Sequence, residues 1–464
     1  MDTPSTAARR PSVPVLLCLA VAGATALTGA PATAAPAPAE TVVVTGVGDL
    51  AAAVRAAGGQ VLDRLPLVGG LVARLPHGAV LPSAQIVPNR PMGVSGGSDA
   101  TGVASTVRAT LGLGAPAGEG AGVTVAVVDT GVADVADLAG RVQHVDVTGD
   151  GTGDGYGHGT FVAGLVAGDG SSSGGAYAGI APAASVLDVR VAHDDGTSDL
   201  VTVLKGLQVV AQHPEVSVLN LSLSSGSPLP YQLDPLTIAL ESLWARGTTV
   251  VVPAGNDGAE GRGSVSSPGS DPVLLTIGGL DEAGTADHGD DVVADWSGQG
   301  PAPQGVQKPD LAAPGAHVVS VGAVGSQVWQ ANPGSHVGAA YLKGSGTSFA
   351  TAVASGAVAA LVSARPALTP DQVKSLLGKT AYGIGAPQWQ AGRGGLDLAA
   401  ALTGRTPHSA ENAEPFPGDP AVMQALVAAI VSGDEDAAAA AWGQLSAAAR
   451  QWAARQWAAS SWAA

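Results

Sequence analysis

The sequence predicts an α/β fold, with a parallel β-sheet flanked by helices, a small α+β unit before it and a helical tail after it. Between about residues 103 and 404, short runs rich in β-branched residues alternate with segments whose apolar residues recur every three and four positions. Strands that are apolar on both faces and alternate with helices form parallel sheets covered on both sides. With 464 residues the chain is also too long for one hydrophobic core, so we expect more than one domain.

The first 35 residues have the pattern of a cleavable secretory signal. Arg9 and Arg10 precede an apolar stretch from about Val15 to Leu27, and small residues follow it. A membrane anchor is the alternative, but the stretch is shorter than the ~20 apolar residues that span a bilayer, and no later run meets that requirement. Cys18, the one cysteine of the chain, lies inside this segment. We therefore predict a secreted protein with no transmembrane anchor and no disulfide.

Residues 40–94 form a compact α+β pattern of their own. Apolar strands are predicted at 41–46, 60–65, 70–75 and 84–90, with a helix at 49–59 that ends in Gly. The next stretch, "MGVSGGSDATG", is rich in Gly and Ser and indicates a linker, which we assign to residues 95–109.

The main domain is expected to cover residues 110–404. Its clearest strands are predicted at 123–129, 185–191, 216–223 and 248–255, with helices at 198–212 and 236–247. A polar, Pro-rich linker over 405–419 leads to a tail, residues 420–464, in which two helices are predicted. Trp452, Trp457 and Trp462 recur every five residues there, a step that lines no single face of a helix or strand. They indicate an arm that packs loosely on its own domain, or one that contacts a partner or the cell surface.

The charge of the chain excludes one class of partner. The formal net charge is -17, whereas proteins that bind nucleic acid neutralise phosphates with an excess of Lys and Arg. Nucleic acid is therefore not an expected partner.

Four polar residues stand at the ends of predicted elements of the main domain. Asp129 closes the strand "VTVAVVD", His158 lies between two glycines at a helix start, Asn256 follows the strand "TTVVVP", and Ser348 opens the helix of "GTSFATAVASG". Taken singly, each has an ordinary explanation as a turn residue, a structural His or a helix cap. Because the carboxyl ends of parallel strands meet at one edge of a sheet, we expect the four side chains to lie together.

Together these residues supply what acyl transfer requires: a hydroxyl nucleophile, a base to take its proton, a carboxylate to orient the base, and a donor for the oxyanion. Their order along the chain, Asp, His and then Ser, is that of subtilisins and differs from that of α/β-hydrolases.

The motifs "VVDTGV", "HGTFVAG", "NLSLSSG", "VPAGNDG" and "GTSFATAVASG" resemble those of subtilisin-like serine proteases, the subtilases or S8 peptidases, over roughly residues 110–404. The resemblance implies that Ser348 is the nucleophile, His158 the general base and then acid, and Asp129 its orienting carboxylate. Asn256 would be an oxyanion donor beside the backbone N–H of Ser348. Two segments would flank the substrate: Leu221, Ser222, Leu223 and Ser224 on one side, and Pro253, Ala254 and Gly255 on the other.

The same resemblance implies that residues 40–94 are a prodomain. It would act as an intramolecular inhibitor that covers the active site until the chain is cut somewhere in 92–110. Two residues depart from the family pattern. Phe161 replaces the usual second His of its motif, which we expect to affect packing, and Ser224 replaces a common Gly, which puts the size of the substrate pocket in doubt.

No cofactor is expected for the chemistry, although structural calcium is possible in this family. Asp146, Asp150 and Asp154 are evenly spaced in a Gly-rich stretch, but they lack the Glu that closes an EF-hand loop. A Gly-rich turn without metal is the alternative.

The first hypothesis is therefore a secreted serine endopeptidase that hydrolyses peptide bonds of proteins or peptides through an acyl-enzyme. A second is an extracellular binding module on a subtilase scaffold, with the Trp arm as its contact. A third is a processing protease of narrow specificity. The intact set of four groups favours an enzyme, since a binding module has no need of them.

Overall fold

The computed structural model describes residues 39–81, 84–94, 97–98, 106–227, 229, 231–302, 305–407, 418–432, 435–446 and 449. All of these belong to one compact unit, Pro38–Ala464. The predicted secretory signal and the three Trp residues of the predicted arm lie outside the described residues.

The secondary structure alternates between strands and helices along most of the chain. The strands are β1 (Ala39–Gly46), β2 (Gln60–Leu65), β3 (Gly70–Pro76), β4 (Ala84–Pro88), β5 (Pro91–Val94), β6 (Gly97–Ser98), β7 (Thr124–Asp129), β8 (Val142–Asp146), β9 (Ser185–Arg190), β10 (Ser198–Asp199), β11 (Val216–Leu221), β12 (Leu223–Ser224), β13 (Thr249–Pro253), β14 (Leu275–Asp281), β15 (Val292–Val293), β16 (Leu311–Pro314), β17 (Val318–Val321), β18 (His336–Val337) and β19 (Tyr341–Ser345). The helices are α1 (Leu50–Ala56), α2 (Val107–Thr110), α3 (His158–Ala167), α4 (Leu200–Val210), α5 (Pro235–Trp244), α6 (Gln327–Ala331), α7 (Thr347–Ala364), α8 (Pro370–Thr380), α9 (Gln388–Ala391), α10 (Leu398–Thr403), α11 (Pro420–Ser432) and α12 (Glu435–Gln444).

The N-terminal unit is an antiparallel sheet in the order β2-β3-β1-β4, with α1 packed on one face. Successive residues of a strand face opposite sides of the sheet. Val42 and Val44 accordingly pack with Val54 of α1, whereas Val43 joins the core of the main domain. The sheet thus has two buried faces, and the second of them is attached to the main domain.

The main sheet confirms the predicted fold class. Its order is β15-β14-β13-β11-β7-β9-β8, and β16 pairs with β14. Every pairing is parallel except that of β14 with β15. A pair of helices, α4 and α5, packs against strands of this sheet, and α3 packs with α7. A Cβ at Gly206 of α4 would lie 3.7 Å from Val128, and one at Gly159 of α3 would lie 3.2 Å from the next residue, Asp129, so helices cover both faces.

The helix α7 is apolar enough to correct one expectation from the sequence. Thr347–Ala364 has 18 residues and a mean hydropathy of 1.5, so by length and composition alone it could cross a membrane. In the fold, 83% of this helix is buried, against β11, β13, β14 and β16. It is therefore the central core helix, and Ser348 lies in its first turn.

Two short strands lie around the boundary between the predicted 40–94 unit and the predicted linker. β5 lies between β10 and β12 as the middle strand of a small antiparallel sheet, and β6 pairs with β19. Within the described part of 95–109, α2 adds a short helix. The Gly/Ser-rich composition concealed this order because the partner strands come from distant parts of the chain.

The two tail helices pack on each other, and α11 also packs on the N-terminal sheet. α11 contacts β1 and β4, and a side chain at Gly69 would put its Cβ 2.7 Å from that of Ala421. Val422, Met423 and Leu426 of α11 are buried with Leu445. The described part of the tail is therefore attached to the N-terminal unit.

A buried ion cluster joins β16 to α8. The ammonium of Lys308 donates to the backbone oxygen of Leu274 at 2.8 Å and to Asp310 at 2.7 Å. Lys374 donates to Pro272 and Leu274 oxygens at 2.7 and 2.9 Å and lies 3.2 Å from Asp310. Two ammonium groups thus share one carboxylate, and burial lowers the pKa of Lys308 to about 7 although Asp310 opposes the shift.

Candidate active site

Asp129 and His158 form a buried pair at the carboxyl edge of the main sheet. Asp129 is the last residue of β7, and His158 is the first residue of α3. Nδ1 of His158 lies 2.7 Å from Oδ1 of Asp129, and the exposed fractions of the two side chains are 3% and 0%. The backbone N–H of Thr130 also donates to Oδ1 at 2.8 Å. The carboxylate is therefore placed to fix the orientation and tautomer of the imidazole.

Close backbone approach explains the glycines around His158. A side chain at Gly159 would put its Cβ 2.2 Å from the backbone oxygen of Gly131, so α3 reaches the end of β7 only because this residue is Gly. Gly157, just before the His, has φ of 107°. These glycines let the imidazole lie directly against Asp129.

Asp154 holds the loop and helix that carry His158. Its Oδ1 accepts from Oγ1 of Thr130 at 2.8 Å and from the N–H of Gly157 at 2.6 Å. Its Oδ2 accepts from the N–H and the Oγ1 of Thr160 at 2.8 and 2.6 Å. Burial raises the pKa of the Asp154 carboxyl, while these hydrogen bonds act in the opposite direction. The sequence indicated Asp154 only as a possible calcium ligand and missed this positioning role.

The other two carboxylates of the possible calcium site are also engaged. Asp146 accepts from the N–H groups of Thr148, Gly149 and Gly151. Asp150 lies 2.7 Å from Nδ1 of His193. Among the residues that the structure describes, no group of three or more His, Cys, Asp or Glu side chains is arranged to hold a metal ion.

Ser348 lies fully buried at the start of α7, next to the substrate-binding segment predicted from the sequence. Its Oγ donates to the backbone oxygen of Ser222 at 3.1 Å, and Oγ of Ser222 donates back to the backbone oxygen of Ser348 at 3.1 Å. Nε2 of His158 is buried and has no hydrogen-bond partner in the described part of the chain. In this state the Ser348 hydroxyl is therefore bonded to Ser222 and not to the imidazole of His158.

Asn256 is fixed by the residue before Ser348. Its Oδ1 accepts from the N–H and from the Oγ1 of Thr347, both at 2.9 Å. Because the oxygen is used in this way, the Nδ2 group is the donor available to a reacting carbonyl near Ser348.

The two predicted substrate-binding segments both lie near Ser348: Ser222 bonds to Ser348, and Asn256, which follows Gly255, bonds to Thr347. Leu221 and Leu223 are fully buried, whereas Ser224 is half-buried and pairs with Gly93 of β5. Pro253 ends β13 and is buried with Ala254, and Gly255 has φ of 98°. In this state the first segment is thus already paired with β5, a strand of the same chain.

Phe161 packs against the residue that follows the Ser. Its ring centroid lies 4.4 Å from that of Phe349, which in turn lies 5.5 Å from the His158 ring. A cavity of about 180 Å³ opens beside these rings and is also lined by Tyr156 and Lys343. The replacement of the usual His by Phe161 therefore contributes to the packing of the site.

The fold and this geometry define a class of protein: a subtilisin-like α/β protein with an Asp-His pair, a helix-opening Ser and an Asn at one edge of a parallel sheet. The subtilase family model matches residues 120–412, which is well over half of the chain, and the chain belongs to the subtilase family. The family expected from the sequence motifs is therefore confirmed.

Known proteins agree with this assignment. Serine protease AprX of Bacillus subtilis is 37% identical over 278 residues, which are 56% of this chain and 61% of that protein. Subtilisin Savinase of Lederbergia lenta is 32% identical over 268 residues, or 58% of this chain and 86% of that protein. The chain thus spans only about three fifths of AprX.

A solved structure supports the fold. Fervidolysin from Fervidobacterium pennivorans, described as a keratinolytic enzyme related to subtilisin, aligns with a TM-score of 0.65 and 23% identity. The match covers 80% of this chain and 62% of that one. At this identity the likeness concerns the fold alone.

Proposed function

We propose that the chain is a serine endopeptidase that hydrolyses protein or peptide substrates through an acyl-enzyme. The observation that carries the proposal is the buried Asp129–His158 hydrogen bond at 2.7 Å, beside a Ser in the first turn of α7. Membership of the subtilase family and relatives named as serine proteases support the same activity.

In the first half of the reaction, Oγ of Ser348 attacks the substrate carbonyl while Nε2 of His158 takes its proton. The imidazolium formed is stabilised by Asp129, to which its Nδ1 is bonded. The oxyanion accepts from Nδ2 of Asn256 and from the backbone N–H of Ser348. His158 then gives its proton to the leaving amine, the C–N bond breaks, and an ester on Ser348 remains.

In the second half, water attacks that ester and His158 takes the proton of the water. The Oγ–C bond breaks and the proton returns to Ser348, so the enzyme is regenerated and the acid product leaves. These steps need no cofactor.

Secretion and self-inhibition are parts of the proposal. Secretion rests on the signal-like pattern of the first 35 residues. Self-inhibition rests on β5, which lies antiparallel to β12 with Gly93 opposite Ser224 and so occupies the place where a substrate strand would add. The exposed fractions of Ser348 and His158 are 0% and 3% in this state.

The strands β5 and β6 narrow the range in which we expect the maturation cut. β5 ends at Val94, which pairs with Leu223 of β12. β6 begins at Gly97, which pairs with Ser345 of β19, three residues before Ser348. Because Val94 and Gly97 are both paired with segments next to the nucleophile, we place the maturation cut at one of the three peptide bonds between them. A mature N-terminus inside residues 41–85 would refute the inhibitor role.

The decisive experiment labels the purified, secreted protein with a fluorophosphonate that reacts only with activated serines. The adduct is mapped by mass spectrometry, and the Ser348→Ala variant is the matched control. Labelling at Ser348 alone, together with a new N-terminus at residue 95, 96 or 97, supports the proposal. Failure to label protein that has already lost its N-terminal unit refutes it, and the binding-module hypothesis then becomes the better one.

A further inference from the structure

A buried ion pair fastens the start of β5 to the main domain. Nη2 of Arg90 lies 2.7 Å from both carboxylate oxygens of Asp234, and Nε of Arg90 donates to Oγ of Ser225 at 3.2 Å. The exposed fractions of the two side chains are 14% for Arg90 and 1% for Asp234. The guanidinium is therefore bound in a pocket of the main domain and does not simply lie on its surface.

The main domain builds this pocket without help from the N-terminal unit. Oδ1 of Asp234 accepts from the N–H of Leu236 at 3.0 Å and so caps α5, and Oδ2 accepts from Oγ of Ser267 at 3.1 Å. Both oxygens are thus oriented by groups that remain when the N-terminal unit departs. Among the described residues, Arg90 is the cation within ion-pair distance of Asp234.

The backbone register shows that Arg90 lies on the path of a substrate. The N–H of Leu200 donates to the backbone oxygen of Arg90 at 2.9 Å, and Met92 pairs with Ser198. Val94 then pairs with Leu223. A substrate strand that takes the path of β5 would place one residue opposite Leu223, as Val94 is now. The residue four positions earlier in that substrate would then lie over Asp234, as Arg90 does now.

We infer that Asp234 is a specificity residue of the mature enzyme, which binds the guanidinium of a substrate Arg at that position. The inference rests on the proposed function, because it takes β5 as the guide to the substrate strand. Arg90 uses two nitrogens here, Nη2 for both oxygens of Asp234 and Nε for Ser225, whereas the ammonium of Lys has a single nitrogen and lacks the second donor. A departing N-terminal unit would otherwise leave the buried carboxylate without a counter-charge, and a substrate Arg restores it.

The test uses two internally quenched peptides built on the sequence around β5, with Arg or Gln at the position of Arg90. With the self-processed wild type, we expect kcat/KM for the Arg peptide to be about 10–100-fold higher, mostly through KM, since the contact is made equally in ground and transition states. In Asp234→Asn the preference should fall below about threefold. Asn is as good a helix cap as Asp, so the variant should keep the fold and the melting temperature of the wild type.

Glu215→Gln is the matched control, because it removes one negative charge from an exposed residue just before β11, at the opposite end of that strand from the site. It should leave the Arg preference unchanged. Equal cleavage of both peptides by a wild type that is labelled at Ser348, or an undiminished Arg preference in Asp234→Asn, overturns the inference and leaves the proposed function standing. Cleavage of neither peptide, without labelling of Ser348, is instead the failure of the proposed function, and the inference falls with it.

Discussion

Asn256→Asp separates the oxyanion donor from the structural role of the same side chain. Aspartate keeps an oxygen for the two donors of Thr347, both of which lie 2.9 Å from Oδ1 of Asn256. It replaces the Nδ2 donor by a second oxygen. The site should therefore stay assembled, while the developing oxyanion loses one hydrogen bond and faces a negative charge.

The expected loss can be bounded from these contacts. Removing one oxyanion donor lowers kcat roughly 10²–10³-fold, or about 2.7–4 kcal/mol of transition-state stabilisation, and the added repulsion places Asn256→Asp at the upper end. Asn256→Ala removes the same donor but also leaves the buried N–H of Thr347 without an acceptor, which costs about 1–3 kcal/mol of stability. The two variants should thus share a large fall in kcat, and only the Ala variant should show a clearly lower melting temperature.

The assay measures kcat and KM on an internally quenched peptide, with thermal unfolding followed in parallel. Both variants should process themselves slowly, so they are matured with a trace of wild-type enzyme. We expect KM to stay within about threefold of the wild type, because the missing contact belongs to the transition state. If kcat of Asn256→Asp remains within fivefold of the wild type, the assignment of Nδ2 as an oxyanion donor is wrong.

Three further predictions follow from the buried groups. Since burial lowers the pKa of Lys308 to about 7, the unfolded chain holds a proton between pH 7 and 10.5 that the folded chain has lost. The free energy of unfolding should gain from this group as pH rises through that window, and Lys308→Met should remove the gain, seen as a smaller rise in melting temperature than in the wild type. Asp154→Asn should lower kcat about tenfold and slow fluorophosphonate labelling, with little change in KM. The reason is that buried donors around His158 lose an acceptor, at a cost of about 1–3 kcal/mol each. Equal labelling rates for the variant and the wild type would contradict this prediction. Leu426→Asp puts a charge in the buried contact of α11 and should loosen its packing on β1 and β4. Amide exchange in these two strands should be faster in the uncut Ser348→Ala protein, and the activation lag of the active chain should be shorter. The exposed control Ala439→Asp should change neither the exchange nor the lag.

Much of the candidate site could be predicted because its residues stand beside local signals. Asp129 ends an apolar strand, His158 lies between glycines, and the parallel sheet brings the ends of such elements to one edge. The Ser at the start of α7 could be recognised from its own motif. Local pattern and sheet geometry were sufficient to predict where these residues lie in the fold, whereas their catalytic roles stay predictions.

The contacts that the sequence could not predict join distant segments. Arg90 and Asp234 are 144 positions apart, and neither residue carries a signal that names the other. The strand β5, at the end of the predicted 40–94 unit, was not predicted as a strand, because its order comes from β10 and β12 and not from its own side chains. Lys308, a residue type that is usually exposed, is buried because the backbone oxygen of Leu274, 34 positions away, and the nearby carboxylate of Asp310 accept from its ammonium.

The packing of α11 on β1 and β4 also sets an order of events during synthesis. A chain leaves the ribosome from its N-terminus, and domains generally fold as they emerge. The N-terminal sheet is therefore made first, the catalytic elements follow and close around β5, and α11 is made only after all of them. If synthesis stopped between α10 and α11, the chain would have all elements of the main domain, but its N-terminal sheet would lack the contact with α11.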